Sequence, residues 1–390
     1  MWLGACASSI GTWMQTAAQN WLVYDLTLDP RYQGWDRFLG EIPIVLLSLF
    51  GGVLADRANR RHILMGSQVL QMICASILTV LLYTSFISKE TPRVWPILML
   101  SFVVGIAQSF GGPAYSALVP SLVEKEHLKN AISLNSIQFN LARVIGPTLS
   151  GIALKSFGPV WCFGLNAMSY LAVILSLFTV RPRFVPSSTS TGVFESMRQG
   201  IDFIRQRAGM IPLIGLSFTM TFLGVSMLQF LNVFTRETLH RDATTFTTLL
   251  SVSGLGSVVG ALGVAAWSQK KGLIRYSLMS LAALGVVTTA FSYSRDLALS
   301  YVLVFLAGAA LVSTFALIMS TVQSLVPDEM RGRVMSVYNL ALRGGMPIGS
   351  LIAGYLIKDF TLPAVLAWNG VLMVGLAVYF WMVHRNVASM

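Results

Sequence analysis

Apolar segments of roughly twenty residues recur along almost the whole chain, and each is long enough to cross a bilayer as a helix. This recurrence constrains the fold more than any other feature. The predicted spans are 2–25, 38–55, 63–87, 95–116, 130–154, 160–180, 211–234, 245–267, 275–294, 297–322, 333–357 and 362–384. The connections between them are short and leave no soluble domain. The sequence therefore predicts an all-α membrane protein with twelve transmembrane helices.

The composition and the charge pattern agree with a membrane chain. Charged residues make up 11% of the sequence, whereas a soluble domain carries about a quarter. The net charge of +11 raises the question of nucleic-acid binding, but most of the 27 basic residues fall on the even-numbered connections and at the C-terminus. Loops rich in Lys and Arg stay cytoplasmic. Both termini are predicted to be cytoplasmic, and no nucleic-acid partner is expected.

The side chains that usually carry enzyme or metal chemistry form no recognisable pattern. Cys6, Cys74 and Cys162 all fall inside predicted spans, so a disulfide framework is not indicated. The four histidines are scattered, and no phosphate-binding Walker sequence or nucleophile–base pair is present. We therefore expect no enzymatic activity, no cofactor and no metal.

One polar segment, residues 181–210, divides the chain. It begins as a flexible stretch rich in Pro, Ser and Thr, and then becomes amphipathic, as expected of a helix on the cytoplasmic membrane surface. Its apolar face holds Phe194, Met197, Ile201 and Ile204. The predicted domains are an N-terminal six-helix bundle at 1–180, a linker at 181–210 and a C-terminal six-helix bundle at 211–390.

The two halves are related in sequence. An offset of 200 residues superimposes span five on span eleven, with the matched pairs Ser136 and Ser336, Arg143 and Arg343, Pro147 and Pro347, and Ser150 and Ser350. A duplicated six-helix unit is the signature of secondary transporters, whose substrate site lies between the halves near the bilayer midplane.

A charged cluster follows span two, and it resembles the loop signature of the major facilitator superfamily. Its residues are Gly52, Asp56, Arg57, Arg60 and Arg61. Asn59 stands where that family usually has Gly, and Asn also tolerates left-handed backbone. The resemblance implies two pseudo-symmetric six-helix bundles that work by alternating access. In this cytoplasmic gate motif Asp56 would latch against a helix N-terminus of the other half, and the arginines would brace it. The alternative is an ordinary positive loop.

The corresponding loop in the second half, 266–271, keeps the basic pair Lys270 and Lys271 but has no acid. The latch is therefore expected in the first half alone.

Further motifs resemble the branch of the superfamily that contains enterobactin exporters and macrolide-efflux proteins. They lie at 11–15, 21–27, 113–120 and 143–151. The last is similar to the helix-bend motif of antiporters, and the helix-bend residues are Gly146, Pro147, Gly151 and Pro347. The resemblance implies export of a siderophore-like or drug-like small molecule by a monomer in the bacterial inner membrane, with protons as the coupling ion. The segment 102–114 has no arginine, unlike that of many proton-coupled exporters.

Polar side chains inside the spans are candidates for a substrate cavity, because lipid offers them no hydrogen bonds. Span one carries Ser8, Thr12, Gln15 and Gln19 on one helical face. The full candidate set is Gln15, Gln19, Gln108, Asn140, Arg143, Gln229, Asn232, Gln323, Asn339 and Arg343. Polar contacts between packed helices are the alternative for each residue, and for the two arginines the alternative is a structural role near a helix end.

Asp25 and Glu41 lie near the outer ends of spans one and two and are candidate proton carriers. The alternative is that they are ordinary interfacial acids. Two other functions stay open at this point, namely uptake of a small solute and a non-transporting membrane sensor on the same fold.

Overall fold

The structure, a computed structural model, describes residues 2–179, 193–207, 209–267 and 272–383. Within these ranges the chain is helical almost throughout and contains no β-strand. The predicted all-α membrane fold is therefore confirmed.

Six long helices precede the connecting segment. They are α1 (Trp2–Thr27), α2 (Pro30–Arg57), α3 (Arg60–Tyr83), α4 (Trp95–Leu118), α5 (Leu128–Ser156) and α6 (Pro159–Thr179). Two 3₁₀ turns, Val119–Leu122 and Lys125–His127, connect α4 to α5.

The remaining helices follow the connecting segment. They are α7 (Val193–Gln206), α8 (Met210–Gly224), α9 (Ser226–Gln229), α10 (Leu231–Val233), α11 (Ala243–Trp267), α12 (Leu273–Tyr293), α13 (Leu297–Leu325), α14 (Asp328–Asp359) and α15 (Leu362–Val383). The span predicted at 211–234 is interrupted, since α8 gives way to α9, α10 and a π-helical segment, Phe234–Thr238. Apolar composition predicts insertion into lipid, but it does not predict a continuous hydrogen-bond ladder.

Ten of the helical segments are long and apolar enough to cross a membrane. Helices α1 and α5 are of similar length, but the polar residues along them keep them outside this set. The total of twelve spans therefore stays a prediction where these two helices are concerned.

Helix α2 begins earlier than the predicted residue 38, and its capping explains why. The Asp29 side chain accepts a hydrogen bond from the backbone N–H of Arg31, and Pro30 occupies the first turn. Both features favour a helix start. The added turns bring Asp36 inside the helix.

The chain forms two compact units. The first comprises Met1–Ser190 with Asp242–Ser251, and the second comprises Thr191–Arg241 with Val252–Met390. The first turns of α11 thus group with the first unit, and the sequence-based boundary at 181–210 stays a prediction.

Glycines set the close packing of α2 on α4 in the first unit. A Cβ atom at Gly51 would collide with the carbonyl oxygen of Ser109, and one at Gly105 would collide with that of Gly40. Gly52, by contrast, faces open space. Small residues of this kind allow backbones to approach closely.

The second unit uses the same device where α14 packs on α8. A Cβ atom at Gly345 or Gly349 would collide with backbone oxygens of α8. The amphipathic helix α7 in turn lies on α14, where a Cβ at Gly200 would be 2.8 Å from the Arg333 carbonyl oxygen. Ile204 is buried and Arg198 is exposed, as the predicted amphipathic pattern requires.

Candidate functional site

The gate motif is built on the tight connection between α2 and α3. Asn59 has φ −65° and ψ 107°, so the expected left-handed backbone is wrong. Its side-chain oxygen instead accepts a hydrogen bond from the Arg61 backbone N–H at 3.0 Å and caps α3. Asn suits this position because it is a preferred N-cap residue, as well as one that tolerates left-handed turns.

Two arginines of the motif tie this connection to the ends of other helices. Arg60 donates from Nη1 to the carbonyl oxygen of Ala117, at the end of α4, over 3.1 Å. Arg61 donates from Nη2 to the carbonyl oxygen of Phe178, at the end of α6, over 3.3 Å. Helix C-termini carry partial negative charge, so cations stabilise them. The two side chains therefore tie the start of α3 to the ends of α4 and α6.

The acid of the motif is half-exposed. Asp56 forms an ion pair with Arg60 at 3.6 Å, and its side chain is 46% exposed. Arg57 is exposed, and Gly52 lies one turn before Asp56 on α2. A pair this open contributes only about 0.3–0.5 kcal/mol, so the carboxylate has capacity for another partner. The docking of Asp56 on the other half stays a prediction, and the counterpart residues 268–271 lie outside the described residues.

The polar stripe of α1 joins a hydrogen-bonded network within the first unit. The Oε1 atom of Gln15 accepts from Asn166 Nδ2 on α6 at 2.6 Å. Tyr170, one turn along α6, donates to Oε1 of Gln71 on α3 at 3.4 Å. Gln108 on α4 donates to the same Gln71 oxygen at 3.5 Å. The predicted residues Gln15 and Gln108 are thus connected through Asn166, Tyr170 and Gln71, which the sequence analysis missed.

The other glutamine of the stripe contacts a carboxylate that was also missed. Gln19 Nε2 donates to both carboxylate oxygens of Asp36, at 2.9 and 3.0 Å. The hydroxyl of Ser101 on α4 donates to the same carboxylate at 2.5 Å. The Asp29–Pro30 pair is the signal that would have revealed Asp36 as a residue of the span, because it starts α2 well before Asp36.

The two acids proposed as proton carriers are both ion-paired. Asp25 lies 2.9 Å from Lys89, and Glu41 lies 3.3 Å from Arg37. Their role in proton coupling stays a prediction, and the pairing favours their alternative role as interfacial acids.

Arg143 lies midway along α5, with its guanidinium 5.8 Å from the centre of the Trp13 ring. Phe139 meets the same tryptophan edge-on at 5.9 Å. Asn140, by contrast, is exposed and donates to the Ser136 carbonyl oxygen of its own helix. Arg143 is thus a cation held on an aromatic face.

The helix-bend residues lie at close helix contacts. A Cβ at Gly146 would be 2.5 Å from Cβ of Trp13, and one at Gly151 would collide with Thr247. Pro147 and Pro347 are buried inside α5 and α14, which continue past them. A role in bending stays a prediction.

The second unit places its candidates in two environments. Arg343 and Asn339 on α14 are exposed, and Gln323 on α13 is half-buried. Gln229 and Asn232 are buried in the interrupted segment after α8.

Comparisons with known proteins agree with this architecture. A family model described as a transmembrane secretion effector matches residues 1–389. A staphyloferrin A transporter from Staphylococcus aureus is 22% identical, over 97% of this chain and 94% of its own length. A macrolide efflux protein A from Streptococcus pyogenes is 21% identical over 99% and 95%, respectively. An enterobactin exporter from Salmonella choleraesuis is 26% identical over 78% and 72%.

Solved structures share the fold. The structure of a D-xylose–proton symporter has a TM-score of 0.76 at 15% identity, over 97% of this chain and 96% of that one. The structure of a peptide transporter has a TM-score of 0.77 at 13% identity, over 99% and 94%. The chain therefore belongs to the transmembrane secretion effector family of major facilitator transporters.

Proposed function

We propose that this transporter exports a small organic anion across the bacterial inner membrane by alternating access, in exchange for protons. One observation carries the proposal. Arg143 lies inside α5, and among the described residues it forms no ion pair and no hydrogen bond, only the contact with Trp13.

A charged side chain in a membrane helix needs a compensating partner, because placing Arg there costs about 2.5–3.5 kcal/mol on insertion scales. The contact with Trp13 offsets part of this, since cation–π contacts contribute roughly 0.5–2 kcal/mol. A bound anion would supply the remaining compensation. The guanidinium suits this role because it presents a planar fork of donors that matches a carboxylate.

Arg343 supports the same conclusion in the second unit. It occupies the position of Arg143 in the repeat and is exposed on α14. Each half would thus offer one arginine to the transport path, and the pair favours anionic cargo.

Names of relatives support two cargo classes. A staphyloferrin A transporter and an enterobactin exporter favour siderophore-like cargo. A macrolide efflux protein favours a drug, and the aromatic pair Trp13 and Phe139 is the observation that suits an apolar molecule. We favour the anion, because an aromatic pair also serves to hold the arginine.

The gate motif supports the alternating-access part of the proposal. Arg60 and Arg61 hydrogen-bond to the ends of α4 and α6, and Asp56 remains half-exposed. In the outward-facing state Asp56 would dock on a helix N-terminus of the second half. The transporter would act as a monomer with both termini in the cytoplasm.

The test uses everted membrane vesicles that are energised to form a proton gradient. Staphyloferrin A, enterobactin and a macrolide are supplied separately, and accumulation is compared among wild type, Arg143→Lys and Arg143→Gln. Hydrogen bonds to charged groups contribute about 1.5–3 kcal/mol, so Arg143→Gln should lower accumulation of anionic cargo roughly 10- to 100-fold. Arg143→Lys should keep an intermediate activity.

Three results would contradict the proposal. If Arg143→Gln accumulates the anions as the wild type does, the arginine does not bind cargo. If cargo accumulates in right-side-out vesicles instead, the protein is an uptake transporter. A protein that binds cargo but accumulates it in neither orientation would be a sensor.

A further inference from the structure

Asp36 is a carboxylate held between three helices of the first unit. Its oxygens accept hydrogen bonds from Gln19 on α1, at 2.9 and 3.0 Å, and from the Ser101 hydroxyl on α4, at 2.5 Å. An O–H···O distance of this length is typical of a bond to a charged acceptor. Both donors are neutral, so Asp36 differs from the ion-paired acids Asp25 and Glu41.

The hydrogen bonds of Asp36 connect parts of the unit that otherwise touch little. Helix α1 packs mainly on α5 and α6, whereas α2 packs mainly on α4. The contact between α2 and α4 is close, because Gly40 and Gly105 let their backbones approach. Asp36 therefore links α1 to a closely packed α2–α4 pair.

No cation forms a direct ion pair with Asp36 within the described part of the chain. On its own helix Arg37 is the neighbouring cation, and it pairs with Glu41 at 3.3 Å. On α1 the ionisable groups are Cys6, Tyr24 and Asp25, and Asp25 pairs with Lys89 at 2.9 Å.

The other helices in contact with α2 contribute no hydrogen bond from an ionisable group to Asp36. The helices that pack most on α2 besides α1 are α3 and α4. Their titratable side chains within the described chain are Cys74, Tyr83, His62 and Tyr115 together with Arg60 and Arg61. The negative charge on Asp36 is thus stabilised by hydrogen bonds from neutral donors, and Arg37 is the nearby cation.

We propose that Asp36 is the group that binds and releases the coupling proton. This assignment rests on the proton-coupled export proposed above. It replaces Asp25 and Glu41, whose charges are already matched by Lys89 and Arg37.

The proton step is balanced by water on both sides. A hydronium ion gives its proton to one carboxylate oxygen of Asp36, leaving water and a neutral carboxyl. The carboxyl now donates one O–H, whereas the carboxylate only accepted hydrogen bonds. Ser101 or Gln19 must then turn an acceptor toward Asp36 where it had offered a donor. Release of the proton to water restores the first arrangement. The link between α1 and the α2–α4 pair therefore depends on the proton.

The experiment is infrared difference spectroscopy of the purified full-length protein in lipid, with protons as the only ligand. Spectra are taken as the buffer is stepped from mildly acidic to mildly alkaline pH. The C=O stretch of a protonated carboxyl should appear in wild type, Asp25→Asn and Glu41→Gln, and it should be absent from Asp36→Asn. In Ser101→Ala the band should shift in frequency, because the carboxyl loses a hydrogen-bond partner.

A band that persists unchanged in Asp36→Asn, or the absence of any carboxyl band in wild type, would overturn the assignment. Asp36→Glu provides a second variant if Asp36→Asn does not fold, and it should keep a band at a different frequency. The measurement needs no cargo. Failure of the Arg143 experiment with the Asp36 band intact would therefore reject anion export and leave the proton site standing.

Discussion

The two units share a way of packing helices but differ in the polar chemistry of their interiors. In the first unit amide and hydroxyl groups bond across helices, as in the contact of Gln15 with Asn166 at 2.6 Å. In the second unit the bonds between helices run chiefly to backbone carbonyls, as from the Ser257 hydroxyl to Gly308 at 3.3 Å and from the Ser313 hydroxyl to Gly260 at 3.2 Å. Asn369 likewise donates to the Leu223 carbonyl oxygen at 3.3 Å, whereas the Thr314 hydroxyl donates to the Ser280 hydroxyl at 2.9 Å.

This difference suggests a division of labour between the halves. Bonds between two side chains on different helices can be rearranged by a ligand or a proton, and each rearrangement changes how the helices fit. A backbone carbonyl only accepts hydrogen bonds and has no rotamer to change, so bonds to it offer fewer alternatives. We therefore expect the side-chain network of the first unit to respond more strongly to ligands and protons than the inter-helix bonds of the second unit.

The largest effect is expected at the gate motif, which has its acid in the first half alone. Asp56→Asn and Arg60→Gln should each abolish export while the protein still reaches the membrane. Asp56→Asn removes the acid of the latch, and Arg60→Gln removes the contacts of Arg60 with α2 and α4. Transport into everted vesicles and the amount of protein in the membrane are the measurements. Arg57→Gln is the matched control and should retain most activity, since Arg57 is exposed. Full export by Asp56→Asn would show that the latch does not exist.

The next largest effect separates the two interiors directly. Asn166→Leu removes the partner of Gln15 and should destabilise the protein by about 1–3 kcal/mol, because buried polar groups are left unsatisfied. Asn369→Leu removes one longer bond to a backbone oxygen and should cost less, about 1 kcal/mol. Thermal unfolding in detergent with and without cargo measures both. If Asn166→Leu and Asn369→Leu lose equal stability and respond equally to cargo, the two interiors do not differ in the way expected here.

A third prediction concerns what the units have in common. Gly51→Ala in the first unit and Gly345→Ala in the second should each destabilise by about 1–3 kcal/mol, since overpacking forces the helices apart. Gly52→Ala and Gly344→Ala are the matched neighbours and should be tolerated, because Gly52 has open space and Gly344 meets only Phe218, at 4.0 Å. Unfolding temperatures measure all four. If Ala destabilises the protein at only one of Gly51 and Gly345, the two units do not share this way of packing helices.

The smallest effect is expected at helix caps. The backbone N–H of Thr245 lowers the pKa of Asp242, which caps the start of α11. A lowered pKa means that the stabilisation is present above the ordinary pKa of Asp and is lost as the pH falls through the folded-state value. Asp242→Ala should therefore cost about 0.5–1 kcal/mol at neutral pH and nothing in strongly acidic buffer. Asp296→Ala, at the start of α13, is the corresponding variant in the second unit, and unfolding over a pH series measures both.

Much of the fold could be predicted because lipid imposes a length and a polarity on every span. The span boundaries were harder to predict from the sequence. The capping by Asp29 and Pro30 moves the start of α2, and the interruption after Gly224 leaves no mark in the apolar pattern. Asn59 shows the same limit, because Asn fits both a left-handed turn and an N-cap, and only the backbone distinguishes them.

The candidate site could be predicted residue by residue, but its connections could not. The spacing of Gln15 and Gln19 placed them on one face of α1. Their partners Asn166 and Asp36 come from distant parts of the sequence, and no local pattern identifies which helices meet. Asp36 was missed because span two was predicted to begin at residue 38, whereas α2 begins at Pro30.

The glycine contacts between helices have an evolutionary consequence. A contact such as that of Gly51 with the Ser109 backbone requires only a glycine at one position, and it does not depend on which aliphatic residues surround it. Lipid-facing positions are then free to exchange Leu, Ile, Val and Phe over time with no loss of helix spacing. Descendants of a common transporter can thus lose nearly all recognisable likeness in sequence and still superimpose, while the few polar positions are left to diversify into new cargo specificities.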